Sequence, residues 1–214
     1  MKLGFLMAAL FIAPLMGKEM ALPTSLKPEA LKEFPDLPEA RQKLIQQALT
    51  VAEENKTLRY RFGGAKPTAG GFDCSGAMYF VLRNSGMKPP STSAQQFVWL
   101  RDAKKITKVK RSVRKVTNEV FEGLKPGDLL FWSGTYQPTD GRKVKITHVG
   151  MCLGTEKKDG RPVMICATKG RSYRGVQRDG LGVYDSKIPL AKSRSQFEGL
   201  GSPIGLDEKD GATE

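Results

Sequence analysis

Cys74 lies in a short stretch, Gly71 to Gly76, whose residue types suit a nucleophile at the start of a helix. Asp73 stands at the natural N-cap position, and a helix N-terminus carries a partial positive charge that favours a thiolate. The backbone N–H of Cys74 at such a helix start could also face a developing oxyanion. His148 is the single histidine of the chain, so it is the one imidazole available as a base for Cys74. These residue types predict nucleophilic Cys–His chemistry.

Other uses of the same residues stay open at this point. A lone histidine is more often structural than catalytic, and a buried cysteine often acts as a small apolar side chain. The three cysteines, at positions 74, 152 and 166, are too few for a disulfide framework, although a Cys152–Cys166 disulfide is an alternative. The closely spaced cysteine pairs of a zinc site are absent from the sequence, so we expect neither a metal nor another cofactor.

Helical patterns occupy the first half of the chain. A helix is predicted to start at Asp36 to Glu39 and to continue through Glu54, a second to run from Cys74 to Asn84, and a third from Thr92 to Leu100. The candidate strands that follow are Lys105–Val109, Val113–Val116, Asp128–Trp132, His148–Leu153, Val163–Ala167 and Gly182–Tyr184. Helices followed by a run of strands predict an α+β domain with an antiparallel sheet.

The N-terminal residues have the layout of a secretory signal peptide: a positive start, an apolar run and then a small residue. We therefore expect an exported protein of the periplasm or cell envelope, or a secreted one; an uncleaved N-terminal anchor is the alternative. The predicted organisation is a signal peptide (1–17), an N-terminal extension (18–35), a main domain (36–190) and a flexible tail (191–214). The tail is predicted from its glycine and charge content.

The formal net charge is +13, from 35 Lys and Arg against 22 Asp and Glu, and such a balance attracts polyanions. The charge is concentrated in residues 101–115, where eight basic residues are opposed by Asp102 alone. After an export signal, the available polyanions are wall polymers and anionic membrane surfaces, and nucleic acid is disfavoured as a partner. A solvated basic loop or edge strand is the alternative interpretation of this segment.

Four motifs, taken together, resemble the NlpC-type peptidoglycan peptidase family, a group of papain-like cysteine peptidases. The motifs are Tyr60 to Gly64, Gly71 to Gly76, Leu124 to Phe131, and His148 to Gly150 with Gly154. Each motif is weak by itself, but four in this order are specific. The resemblance implies a papain-like α+β fold, in which N-terminal helices pack on a central antiparallel sheet and the nucleophile begins one of the helices.

The resemblance also implies roles for individual residues. Cys74 would be the nucleophile, and His148 the general base that later protonates the leaving amine. The residues expected to bind the substrate are Tyr60, Asp73, Ser75 and Gly76. Family members hydrolyse amide bonds of peptidoglycan stem peptides, often between D-glutamate and a diamino acid, and we expect such a peptidase to act as a monomer.

The sequence departs from the family pattern at two positions near these motifs. The third catalytic residue, commonly a histidine on the strand after the catalytic one, is Cys166 here, and a thiol is a weak hydrogen-bond partner. Ser91 stands where the family often has arginine. Two alternatives follow: a wall-binding module of the same fold with weak or no catalysis, and an amidase that acts on a substrate outside the wall.

Overall fold

The computed structural model describes residues 19–113, 115, 118–190 and 192–207, so the predicted signal peptide lies outside the described residues. Three helices form where the sequence predicts them: α1 (Glu39–Glu54), α2 (Cys74–Asn84) and α3 (Ser93–Asp102). Local signals set their bounds. The side chains of Asp73 and Thr92 cap α2 and α3, and Gly86 follows α2 with a φ of 82°.

The described residues also contain eight strands. They are β1 (Ala65–Lys66), β2 (Gly71–Phe72), β3 (Thr107–Lys108), β4 (Leu129–Ser133), β5 (Ile146–Thr155), β6 (Pro162–Tyr173), β7 (Val176–Asp185) and β8 (Gln196–Gly201). Strands β1 and β2 form a small ribbon, and the other six form one antiparallel sheet in the order β3-β8-β4-β5-β6-β7. The predicted α+β class with a central antiparallel sheet is confirmed.

The prediction of a flexible tail from residue 191 is wrong for the described part of that segment. Strand β8 lies inside the sheet, between the edge strand β3 and β4. The glycine content of this segment predicts flexibility, but in the structure these glycines allow close packing of the backbone. A Cβ on Gly201 would lie 2.0 Å from the carbonyl oxygen of Lys105, and one on Gly199 would lie 2.8 Å from that of Thr107. Residues 208–214 lie outside the described residues.

The sheet carries a hydrophobic cluster on each face. The larger cluster joins the sheet to the three helices, with Leu44, Met78, Val149 and Ile165 among its buried members. The smaller cluster covers the opposite face and includes Trp132, Cys166, Tyr184, Phe197 and Val109. Because side chains alternate along a strand, neighbouring residues such as His148 and Val149 face opposite clusters.

The basic segment forms part of this smaller face and of the sheet edge. Strand β3 is an edge strand paired with β8, and Lys108 and Lys110 are exposed while Val109 between them is buried. The edge-strand interpretation is thus confirmed for this part, and the lysines discourage pairing with another chain. The strand predicted over Val113–Val116 is wrong at positions 113 and 115, the two described residues of that range.

A buried arginine ties the C-terminal segment to the rest of the domain. Arg41 on α1 is 1% exposed and donates to the carboxylate of Asp128 at 3.0 Å and to that of Asp207 at 2.7 Å. It also donates to the carbonyl oxygen of Pro126 at 2.6 Å and to Ser202 Oγ at 2.7 Å. A buried charge needs such saturation by partners, so this network fixes the start of β4 against α1.

The N-terminal extension packs along the domain. Ala21 bridges to Arg178, Leu31 bridges to Glu156, and the Leu31 side chain is fully buried. Within the part of the chain that the structure describes, no helix combines the length and the apolar character that a membrane span requires.

Candidate active site

The start of α2 is held by the side chain of Asp73. Its carboxylate accepts hydrogen bonds from the backbone N–H of Gly76 at 2.7 Å, from Ser75 Oγ at 3.0 Å and from the backbone N–H of Gly63 at 2.9 Å. A Cβ on Gly76 would lie only 2.0 Å from the carbonyl oxygen of Gly64, so the helix start touches the preceding loop directly. These contacts fix the position of Cys74, the first residue of the helix.

Cys74 points its sulfur at the backbone on both sides of His148. The Sγ atom lies 3.9 Å from the carbonyl oxygen of Thr147, and the backbone N–H of Val149 also interacts with the thiol. Strand β5 pairs with β6 from Met151 to Thr155, so the Thr147–Val149 stretch leaves this side free for the helix start. The fold therefore brings together the two residues that the sequence predicts to react, Cys74 and His148.

His148 lies on β5 opposite Trp132 of β4, and the centroids of the two rings are 5.4 Å apart. The residue is 6% exposed, and its Nε2 atom is buried without a hydrogen-bond partner among the described residues. Leaving a buried polar nitrogen unpaired costs roughly 1–3 kcal/mol, so such an atom requires an explanation, and a catalytic role is one.

Cys166 does not supply the hydrogen bond that the third position implies. Its side chain is fully buried in the smaller cluster beside Trp132, while Nε2 of His148 has no hydrogen-bond partner in the described part of the chain. The orientation of the imidazole instead depends on packing against Trp132. All three cysteines are free, which answers the alternative of a Cys152–Cys166 disulfide: Cys152 pairs in register with Met164.

The electrostatic environment favours the neutral forms of both groups. Burial, followed by the nearby carboxylate of Asp73, raises the pKa of Cys74 to about 12, although the backbone N–H groups of Val149 and Ser75 act in the opposite direction. Burial, together with the positive charge of Arg171, holds the pKa of His148 well below its usual value of 6.5. At neutral pH the resting pair is thus a thiol and a neutral imidazole, which can act as a base.

The residues predicted to bind substrate divide into two kinds. Tyr60 is half-buried near Cys74, and burial together with the charges of Cys74 and Asp73 raises the pKa of its phenol, so it remains a protonated donor. Asp73 and Gly76 are engaged in the helix start, and the Ser75 hydroxyl donates to Asp73, so the geometry gives these three a positioning role. Direct substrate contact by any of the four stays a prediction.

Two residues beside the site are not predicted from the sequence. Thr135 donates through Oγ1 to the Thr147 carbonyl oxygen at 3.3 Å, which is the oxygen that Cys74 faces. Arg171 lies on β6 with its guanidinium carbon 4.6 Å from the centroid of the Trp132 ring. The glycine at position 170 was a signal for a bulge in the strand, and a bulge changes which face the next side chain occupies.

The described residues contain no group of three or more His, Cys, Asp or Glu side chains arranged to hold a metal ion. The groups at the site that could take part in chemistry are the thiol, the imidazole, the phenol of Tyr60 and the backbone N–H groups at the helix start.

Comparison with known proteins gives a consistent picture. The sequence profile of the NlpC/P60 family matches residues 57–177 of the chain. The murein DD-endopeptidase MepH of Escherichia coli is 32% identical over 156 residues, which cover 66% of this chain and 50% of that protein. The chain thus spans about half the length of the curated relative that it matches.

The fold also resembles a solved structure. A crystal structure of a Staphylococcus aureus protein of the NLP/P60 family, described as similar to lipoprotein, superposes with a TM-score of 0.50 at 22% sequence identity. The match covers 85% of this chain and 44% of that one. At this identity the likeness concerns the fold alone.

Proposed function

The chain belongs to the NlpC/P60 family, and from that membership and the site geometry we propose that it is a cysteine peptidase that hydrolyses peptide bonds of peptidoglycan. Cys74 is the nucleophile and His148 is the base. The observation that carries the proposal is the position of Cys74 Sγ at a helix N-terminus, 3.9 Å from the carbonyl oxygen of Thr147 beside His148.

The reaction proceeds by acyl transfer to sulfur. His148 removes the thiol proton as Cys74 attacks the scissile carbonyl carbon, and the backbone N–H of Cys74 faces the developing oxyanion. The tetrahedral intermediate then collapses, the C–N bond breaks, and the imidazolium returns the proton to the leaving amine. Water, deprotonated by His148, hydrolyses the resulting thioester and regenerates the thiol.

Two candidate bonds compete as the point of cleavage. The resemblance of the sequence motifs to the family favours the amide between D-glutamate and the diamino acid. The name of the E. coli relative, a murein DD-endopeptidase, favours a bond between two residues of D configuration. Mass spectrometry of the fragments released from intact murein and from purified stem peptides distinguishes them, because the two cuts leave different termini.

Location and surface contacts extend the proposal. The signal-like start supports export, and an exported enzyme would meet peptidoglycan. The exposed cations of the basic segment, Lys104, Lys108, Lys110 and Arg111 among them, would hold the enzyme near an anionic wall polymer or membrane surface. Such an attraction between exposed charges weakens as salt screens it.

The decisive experiment measures muropeptide release by the purified protein and three variants. We expect Cys74→Ala and His148→Ala to lower release by at least about a thousandfold, because both groups act in the same step. Cys152→Ala, a buried cysteine on β5, is the matched control and should retain activity. Release that persists in either of the first two variants would contradict the mechanism.

The same assay separates the alternatives. A wild-type protein that binds murein without releasing fragments would be a wall-binding module. A wild-type protein that leaves murein intact but cleaves small amides, with loss in Cys74→Ala, would be an amidase with a substrate outside the wall.

A further inference from the structure

A bulge in β6 places one cation over the candidate active site. Lys169 pairs with Asp179 and Ser172 pairs with Gln177, so β6 advances three residues where β7 advances two. In a regular strand, residue 171 would share the face of Ala167, which packs towards the helices. The extra residue turns Arg171 to the face of Trp132 and His148 instead, and strand bulges often re-aim side chains in this way beside active sites.

The guanidinium of Arg171 has no carboxylate to neutralise it. Within the described residues it makes neither an ion pair nor a hydrogen bond, and its one specific contact is the stack on Trp132 at 4.6 Å. Arg161 and Arg174, by contrast, each pair with carboxylates at 2.7–3.0 Å. Arginine is rarely buried without a partner, so a partly buried, unpaired arginine beside a nucleophile is a candidate binding site for an anion.

The described surroundings of Arg171 contain unpaired ring nitrogens and no neighbouring carboxylate. As far as the structure describes the chain, Nε1 of Trp132 and Nε2 of His148 are both buried without a hydrogen-bond partner. The hydroxyl of Tyr184 donates to the carbonyl oxygen of Gly180, and Cys166 offers only a thiol. A negatively charged group of the substrate that approaches Arg171 would therefore meet a cation. It would not have to displace a carboxylate of the described residues.

We propose that Arg171 binds a free carboxylate of the substrate, one carried by a residue that flanks the scissile amide. The proposal rests on the proposed peptidase function, whose substrates carry carboxylates on both D-glutamate and the diamino acid. The planar guanidinium suits a carboxylate because it can donate two parallel hydrogen bonds, and the Trp132 ring fixes its plane. Arg171 is thus a specificity-determining residue of the proposed site.

Carboxylate binding would also prepare the catalytic pair. The charge of Arg171 disfavours a protonated His148, and the reaction passes through a protonated His148 when the thiol is deprotonated. A substrate carboxylate paired with Arg171 offsets that charge at the moment the imidazolium must form. A substrate that lacks the carboxylate gains neither the contact nor this relief, so discrimination appears in kcat as well as in KM.

The test uses three versions of one stem peptide that contains D-glutamate linked to a diamino acid. One has both free carboxylates, one has the glutamate carboxylate converted to a carboxamide, and one has the carboxylate of the diamino acid converted. Values of kcat/KM are measured for the wild type, Arg171→Gln, Arg171→Lys and the control Arg83→Gln. Arg83 also lies over an aromatic ring, that of Tyr79, but on α2 and away from the site.

We expect the wild-type kcat/KM to be at least about tenfold higher for the free acid than for one of the two amides. The amide with the lower value identifies the carboxylate that Arg171 binds. In Arg171→Gln the acid-to-amide ratio should fall to near one, Arg171→Lys should retain part of it, and Arg83→Gln should keep the wild-type ratio. An unchanged ratio in Arg171→Gln, even with lower absolute rates, overturns the proposal.

Calorimetric binding to Cys74→Ala separates this proposal from the proposed function. If the wild type cleaves none of the peptides, the peptidase assignment fails for these substrates. In that case the binding measurements alone test the carboxylate site at Arg171. Tighter binding of the acid than of the amides, lost in Cys74→Ala/Arg171→Gln, supports the carboxylate site, and equal binding of all three peptides overturns it.

Discussion

The sulfur of Cys74 faces the carbonyl oxygen of Thr147, 3.9 Å away, so the first residue of α2 meets β5 at the residue immediately before His148. This contact is possible because β6 begins to pair with β5 only at Met151. The helix N-terminus and the imidazole-bearing strand are therefore joined through backbone groups. The backbone contact fixes the register of Cys74 against β5, while the ring of His148 is oriented separately by Trp132.

The reactivity of Cys74 should reveal a neutral resting pair. Because burial raises the pKa of this thiol to about 12 and lowers that of His148, alkylation by iodoacetamide should accelerate with each pH unit from 6 to 9. The measurement uses a Cys152→Ala/Cys166→Ala background so that only Cys74 reacts. A rate that is flat between pH 5 and 7 would instead indicate a preformed thiolate–imidazolium pair and contradict this expectation.

Cys166 should contribute little to catalysis. Nε2 of His148 makes no hydrogen bond within the described residues, so Cys166→Ala removes no hydrogen bond to the imidazole and should change kcat by less than about threefold. Cys166→Asn offers Nε2 an amide oxygen and should raise kcat by at least about threefold if it fixes the useful tautomer. A large loss in Cys166→Ala, with folding confirmed by circular dichroism, would show that the thiol positions the ring.

Local signals allowed the sequence to predict the part of the site that lies on α2. Asp73 caps the helix through its own neighbours, and the single histidine left no choice of base. Strand β8 escaped prediction because Gly199 and Gly201 have the composition of a tail, whereas their lack of side chains lets residues 105–107 pack closely. Arg171 escaped because one extra residue in β6 reverses the face of the side chain, and pairing with β7 determines that register.

The buried His148 should make stability fall on the acid side. Its folded-state pKa lies well below 6.5, so under mildly acidic conditions the unfolded chain binds a proton that the folded chain does not. The contribution is complete above about pH 6.5 and is lost as the pH falls, by up to about 1.4 kcal/mol per pH unit until the folded-state pKa is reached.

His148→Gln tests this titration. Urea unfolding between pH 5 and 8 should show a shallower loss of stability in the variant than in the wild type, whatever the offset at pH 8. The difference between the two proteins isolates the histidine, because the carboxylates titrate in both. Parallel curves across the whole range would mean that His148 is protonated in the folded state and that its burial is incomplete.

The Arg41 network should dominate the stability of the C-terminal segment. Arg41→Met leaves the carboxylate of Asp128, whose side chain is 4% exposed, without its cation, and breaking a buried pair in this way costs roughly 3–5 kcal/mol. Lys43→Met is the matched control, because Lys43 lies on the same helix and pairs with the exposed Glu39, so it should unfold at nearly the wild-type urea concentration.

Arg41→Met/Asp128→Leu removes both buried charges and should recover part of the loss, since the penalty comes from the unpaired charge. The opposite result is a double variant that loses as much unfolding free energy as its two single variants lose together. In that case the ion pair does not cause the loss, which then comes from the missing hydrogen bonds to Pro126 and Ser202.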